Sequence, residues 1–268
     1  LWRRGVGAPL RTRLARVPAR MRGTAGAIAA VAAIAMASLG GWIFYNTNVL
    51  NDYRTQLDEE RLTAEYEKAL IGYESVPQPR ITDVTLDVAL YPEAPRVVTR
   101  GSYVIQNRTG QPLEEVHVSW LRPLEMKTLE VEGATLSKDH GDFDYRIYRF
   151  DRPLAPLEKR RITFETLRQQ QGFRNSGNEQ RIVDNGTFLN NAEIAPFLGM
   201  SRNGLLQDRA KRRKYGLPPE LRPALLEDES AREFNGLRRD SDWVNSDITV
   251  STSADQLAVA PGYVESET

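Results

Sequence analysis

ITDVTLDVALYPEAPRVVTRGSYVIQN, residues 81–107, decides the fold class. Val84, Leu86, Val88 and Leu90 alternate with Asp83, Thr85, Asp87 and Ala89, the period-two pattern of a strand with one buried face and one wet face. Arg96–Asn107 reads as a second strand, and Arg108-Thr109-Gly110-Gln111 has the composition of a turn. Further strands follow downstream. Glu115–Leu121 carries Val116, Val118 and Trp120 on one face, and Lys127–Glu132 turns Leu129 and Val131 inward. Asp142–Phe150 and Arg160–Leu167 complete a set of six. Strands this closely spaced, separated by Pro, Gly and Asn turns, predict a mainly β fold, an antiparallel sandwich or saddle.

Beyond Gln169 the alternation weakens. Gly172–Gln180 reads as a polar loop, and Ile182–Leu189 as a strand around Asn185-Gly186. Residues 203–240 are highly charged, helical or irregular, and divided by Pro218, Pro219 and Pro223. Alternation resumes in Asp247–Ser253. A strand so near Thr268, in a chain that begins with Leu, is expected of a fragment of a longer protein.

Upstream, residues 51–74 predict a helix with Asn51 or Asp52 as N-cap and Tyr53, Leu57, Tyr66, Leu70 and Tyr73 toward one side. It serves either as a stalk or as an amphipathic helix packed on the β domain. Val76-Pro77-Gln78-Pro79 ends it. Before it lies AGAIAAVAAIAMASLGGWIFY, Ala25 to Tyr45, 21 residues without a charge. As a helix this run spans roughly 30 Å, the thickness of a bilayer's hydrocarbon core. Trp42 and Tyr45 stand at one end, where aromatic rings favour the headgroup layer. Two other readings compete: a cleaved signal peptide, for which Ala35-Met36-Ala37 has the small-x-small pattern, and the buried helix of a soluble domain. The length of the basic region and the continuation through Leu39, Ile43 and Phe44 favour an anchor.

The net charge of zero conceals a polarity. Residues 1–24 hold seven Arg and no acid, which leaves 29 basic against 36 acidic residues for 46–268. The arginine flank predicts a cytoplasmic N-terminus and an exported remainder. Leu10, Leu14, Val17 and Met21 share a helical face that would lie on an anionic leaflet, although Pro9 and Pro18 make a solvated basic loop an equal alternative.

Little in the composition promises chemistry. The absence of Cys excludes disulfides and thiolate metal sites. Of the two His, His117 reads as a surface residue on the strand face opposite Val116 and Val118, and His140 as a turn residue in Lys138-Asp139-His140-Gly141. HExxH, GxSxG, GxxxxGK[ST] and GxGxxG are all absent. Glu114-Glu115 and Glu59-Glu60 read as solvated carboxylates. The basic run Arg209–Lys214 reads as a helix face or an intramolecular salt-bridge patch rather than a nucleic-acid site, since the exported part is acidic.

Several segments occur in an order that resembles the front end of the membrane alanyl aminopeptidase (aminopeptidase N) family of zinc metallopeptidases. They are Ile81–Tyr91, Gly101–Asn107, Asn185–Leu189, Ala195–Met200, Arg213–Leu217 and Asp247–Thr252. GWIFYNTN, residues 41–48, followed by an acidic helix, resembles bacterial fusions of an ABC transporter permease with such a peptidase. The resemblance implies a saddle-shaped N-terminal β domain preceding a catalytic domain. It implies zinc only in that downstream domain, because the family's GxMEN loop and HExxH do not occur here. No catalytic, cofactor-binding or metal-ligating residue is therefore assigned, and whether the parent protein is an active enzyme stays open.

The expected organisation is a basic cytoplasmic segment over 1–24, a transmembrane helix over 25–45, a helical stalk and linker over 46–77, and an extracytoplasmic β domain over 78–268. The expected partners are the lipid bilayer, a downstream peptidase-like domain and an ABC transporter ATPase, with no nucleic acid. The expected place is a bacterial inner membrane with residues 46–268 periplasmic or extracellular. The expected role is non-catalytic, shaping the substrate cleft of the peptidase; the alternative is a peptide- or partner-binding module of a transporter that works by strand addition.

Overall fold

The computed structural model describes residues 11, 15, 17–20, 22–177, 180–202, 204–219, 225, 227–229 and 240–267. The chain divides into two compact units, Leu1–Tyr53 with Gln171–Asn178, and Arg54–Gln170 with Glu179–Thr268.

The first unit is built on helix α1, Thr24–Phe44, which continues as a π-helical turn over Tyr45–Val49. Ala, Leu, Ile and Met carry the helix, and no residue of Thr24–Phe44 is buried. Thr24–Val49 is long and apolar enough to cross a bilayer, a character that membrane anchors and signal sequences share. Upstream, Val17–Arg20 forms a single helical turn with Val17 exposed. Leu10, Leu14 and Met21, the other members of the expected amphipathic face, lie outside the described residues.

The second unit opens with helix α2, Gln56–Leu70. Its N-cap is Thr55, four residues later than Asn51, because Thr55 and Asp58 make a reciprocal capping box: the Asp58 amide donates to Thr55 Oγ1 (3.2 Å) and the Thr55 amide to Asp58 Oδ2 (2.9 Å). Its buried positions are Ala64, Glu67 and Leu70, while Tyr53 and Leu57 are exposed. The helix thus packs within the β unit through its C-terminal half.

The strands are β1 (Arg80–Tyr91), β2 (Arg96–Gln106), β3 (Leu113–Ser119), β4 (Glu125–Val131), β5 (Ala134–His140), β6 (Tyr145–Leu154) and β7 (Lys159–Gln169). After them come the short β8 (Ile182–Val183), β9 (Gly186–Thr187) and β10 (Phe197–Leu198), the single-turn-and-a-half helix α3 (Arg209–Lys214), and β11 (Ser241–Ser251). They form a five-stranded sheet, β11-β1-β2-β7-β4, a four-stranded sheet, β10-β3-β6-β5, and the β8-β9 ribbon. The two larger sheets share one core: Leu86, Val97, Ile105, Ile162 and Phe164 come from the first, and Val116, Val118, Phe150 and Leu154 from the second.

Two strand expectations need correction. Ala134–His140 is a full strand, so His140 ends β5 instead of sitting in a turn; the segment has little apolar signal because it is a sheet edge with Leu136 half exposed. The pairing is not wholly antiparallel either. β11 runs parallel to β1, with Leu86 opposite Ile248 and Val88 opposite Val250. It returns after more than forty residues from β10, and only a long connection permits parallel pairing.

Segment 194–200 is a plug that both sheets hold. Tyr103 on β2 donates to Pro196 O (3.0 Å), Thr166 on β7 to Ile194 O (2.6 Å), and Ser119 on β3 to Gly199 O (2.7 Å). Buried Asp240 accepts from the Leu198 amide at 2.9 Å, while its carbonyl accepts from Ile81. These bonds satisfy backbone groups that would otherwise be lost to water in the interior.

Candidate functional site

Both imidazoles of the chain converge on one cluster, which the spacing of twenty-three residues between them had concealed. Pleating does place His117 opposite Val116 and Val118, but that face of the four-stranded sheet is covered. The end of α2 and the turn after it lay Leu70, Ile71 and Tyr73 against Tyr145, Ile147 and Met200. His117 is consequently fully buried, not a surface residue.

Its ring is fixed from both sides. His117 Nε2 lies 2.8 Å from Glu115 Oε1, and Nδ1 lies 2.6 Å from Tyr145 Oη. The carboxylate can only accept, so Nε2 carries the proton and Nδ1 accepts from the Tyr145 hydroxyl. The His117 amide donates to Gln78 Oε1 at 2.8 Å, which ties the linker after α2 to the strand. Tyr73 packs edge-on to His117 (ring centroids 5.1 Å apart) and stacks on Tyr145 (5.9 Å). His140 meets the same two tyrosines edge-on at 5.9 and 6.0 Å. Lys138 Nζ donates to Tyr73 Oη at 3.1 Å.

Burial holds His117 below its ordinary value, against the opposing pull of Glu115. His140 is lowered by burial and then by neighbouring Lys138. Burial pushes Tyr145 well above the usual phenol range. A Glu–His–Tyr chain is a proton-relay geometry, yet the hydroxyl at its end belongs to a fully buried residue with a raised pKa. No substrate atom can meet it there. The arrangement therefore fastens the end of α2 to β3 and β6.

A second candidate, the basic run of α3, is also spent internally. Arg212 is fully buried and donates to both Glu67 carboxylate oxygens (2.9 and 2.7 Å), to Leu206 O (2.7 Å) and to Pro218 O (2.6 Å). Lys211 and Lys214 reach Glu60 at 2.6 and 3.6 Å. Three positions of the run, Lys211, Arg212 and Lys214, thus face α2 as a salt-bridge patch. The rest of the 220–239 region lies largely outside the described residues.

Asp144 is a carboxyl shifted upward. It precedes β6 in the left-handed region (φ 53), and burial raises it to about 6 despite Arg54 and a Trp120 hydrogen bond. Among the described residues no group of three His, Asp or Glu side chains could hold a metal ion.

No protein-family model and no curated protein matches the chain. Solved structures do match part of it. One is an M1 zinc metallopeptidase from Deinococcus radiodurans, at 14% identity and a TM-score of 0.29 over 38% of this chain and 24% of that one. A variant from the same organism with a bound Tyr-Ser-Ala substrate matches with the same figures, and a further variant matches at a TM-score of 0.28 over 41% and 28%. The chain spans about a quarter of the length of these structures.

Proposed function

We propose that the chain is a membrane-anchored, non-catalytic β module that, in the whole protein, packs against a zinc aminopeptidase-like domain and helps shape its substrate cleft. The carrying observation is the pairing of α1, uncharged and without a buried residue, with a two-sheet body whose two imidazoles are engaged in internal packing. The arginine flank orients the anchor with its N-terminus in the cytoplasm of a bacterium and residues 46–268 on the far side of the inner membrane. The ordered resemblance of residues 78–268 to the aminopeptidase N front end supplies the peptidase partner. An ABC transporter ATPase follows from the permease-like segment 41–48, and nucleic acid has no part in this reading.

Expression of the chain in bacterial membranes tests it. Alkaline carbonate should leave the chain in the pellet, and external protease should cut residues 46–268 only after the outer barrier is opened. The purified chain should bind no stoichiometric zinc and release no nitroaniline from an aminoacyl-nitroanilide. Release by carbonate removes the anchor, and bound zinc removes the non-catalytic role.

One observation favours a second reading, a partner-binding module. Among the described residues β11 is an edge strand with one neighbour, and Trp243 on it is 96% exposed. An edge of this kind accepts an added strand. Protection of the β11 amides from exchange by an added extended peptide would favour this reading, and an HExxH encoded beyond Thr268 would favour the first.

A further inference from the structure

The π-helical turn after α1 is polar, yet Asn46 and Thr47 are buried, at 2% and 5% exposure. Asn46 Nδ2 donates to Trp42 O (2.9 Å) and Thr47 Oγ1 to Ile43 O (3.0 Å), so side chains cap the carbonyls at the helix exit. A loop from far along the sequence is seated on this turn within the same compact unit. Asn51 Nδ2 donates to Asn46 O (2.9 Å), Gln171 O (2.8 Å) and Phe173 O (3.4 Å), and Arg174 Nε donates to Asn51 Oδ1 (3.1 Å). Gly172 has φ +53 and leaves no room for a side chain: a Cβ there would stand 3.1 Å from Asn46 Cγ and 3.2 Å from Leu50 Cδ1.

Depth follows from the helix. If Ala25–Tyr45 fills the hydrocarbon core, the helical residues 46–49 climb about 6 Å beyond it, and the chain bends at Leu50 and Asn51. The headgroup layer of one leaflet is roughly 5–7 Å deep. Groups hydrogen-bonded to Asn51 are held at that level. The loop offers an aromatic ring followed by a cation, Phe173 half-buried and Arg174 exposed, the pair of side chains that suits the boundary between acyl chains and phosphates.

From this we infer that loop 171–177 is a second membrane-contacting element, clasped by Asn51 and Gly172 to the exit of α1 and seated among lipid headgroups. The inference rests on the anchor reading above.

The absence of Cys allows single-site labelling of the full chain. A fluorophore on Ser176→Cys reports the loop, and one on Leu39→Cys reports the anchor; both positions are exposed. The chain is reconstituted in phosphatidylcholine vesicles carrying a spin label either on the headgroup or deep in the acyl chain. The expected result is quenching at 39 by the deep label and, at 176, at least about twofold stronger quenching by the headgroup label than by the deep one. Asn51→Ala should abolish quenching at 176 and leave 39 unchanged. Quenching at 39 without quenching at 176 overturns the inference and leaves the anchor standing, as does quenching at 176 that survives Asn51→Ala. No quenching at 39 overturns the anchor and the inference together.

Discussion

Single residues carry much of this architecture by what they exclude. Gly101 on β2 lies between Leu86 of β1 and Phe164 of β7, and a Cβ there would stand 2.7 Å from Leu86 Cδ2 and nearer still to the Phe164 ring. Its role is close approach, which no local sequence pattern announces. Gly101→Ala should destabilise the chain by about 1–3 kcal/mol, and Phe164→Leu made together with it should recover part of that loss, read from denaturant unfolding of the full chain in detergent. Two titrating residues set opposite pH dependences. His117 is held below its ordinary 6.5, so the unfolded chain binds its proton first; that contribution is complete above pH 6.5 and is lost as pH falls through the window below it. Asp144 is raised from 3.8 to about 6, so the folded chain binds its proton first; that contribution is complete below 3.8 and is lost as pH rises to about 6. Asp144→Asn, which keeps a residue suited to the left-handed region, should raise stability by about 1 kcal/mol at roughly pH 7.5, a figure reduced for solvent screening, and change little at about pH 3.5. In that variant stability should climb with pH up to 6.5, the dependence of the two lowered imidazoles, His117 and His140, standing uncovered; a flat profile would dismiss them as its source.

At the scale of elements, legibility tracked burial on one face. β1, β2, β3 and β7 were readable because their alternation is the alternation of core and solvent. β5 was not, since an edge strand of Ala-Thr-Leu-Ser-Lys-Asp-His buries almost nothing. The polar cluster was hidden for a different reason: His117 follows the strand period correctly, but what covers its face is Tyr73, forty-four residues earlier, and a period cannot reveal a cover. The N-cap shifted from Asn51 to Thr55 because Asn51 is engaged with loop 171–177, a contact 120 residues away in sequence. The same logic applies to α2 and α3, where Glu67 and Arg212 stand 145 residues apart and no local pattern pairs them. Each is the other's buried partner, at 3% and 1% side-chain exposure. Arg212→Met should cost about 3–5 kcal/mol because it strands a buried carboxylate, whereas Arg212→Met combined with Glu67→Leu should cost far less than the two separate losses together. A double-mutant cycle on unfolding midpoints measures the difference, and additive losses would refute the pairing as the cause.

Across the whole molecule the two units differ in how much of their apolar surface they bury. The β unit closes its core from two sheets and holds its interior backbone through Asp240, Thr166 and Ser119. Helix α1 has no such interior: its Ile, Val, Met and Leu side chains are all exposed, an apolar surface that water disfavours and acyl chains accept. On the anchor reading proposed above, an Ala-rich span gains less on insertion than a Leu-rich one, so one central charge should tip it. Ala35→Arg adds about 2.5–3.5 kcal/mol to the insertion free energy at the middle of the helix. Because no α1 residue is buried, the substitution removes no buried side chain. The expected outcome is a chain that carbonate releases from membranes while the near-ultraviolet dichroism of its tyrosine-rich core persists. If the substituted chain instead stays with the membrane, the apolar surface of α1 is not what holds it there; if the dichroism collapses, the substitution acts on more than that surface.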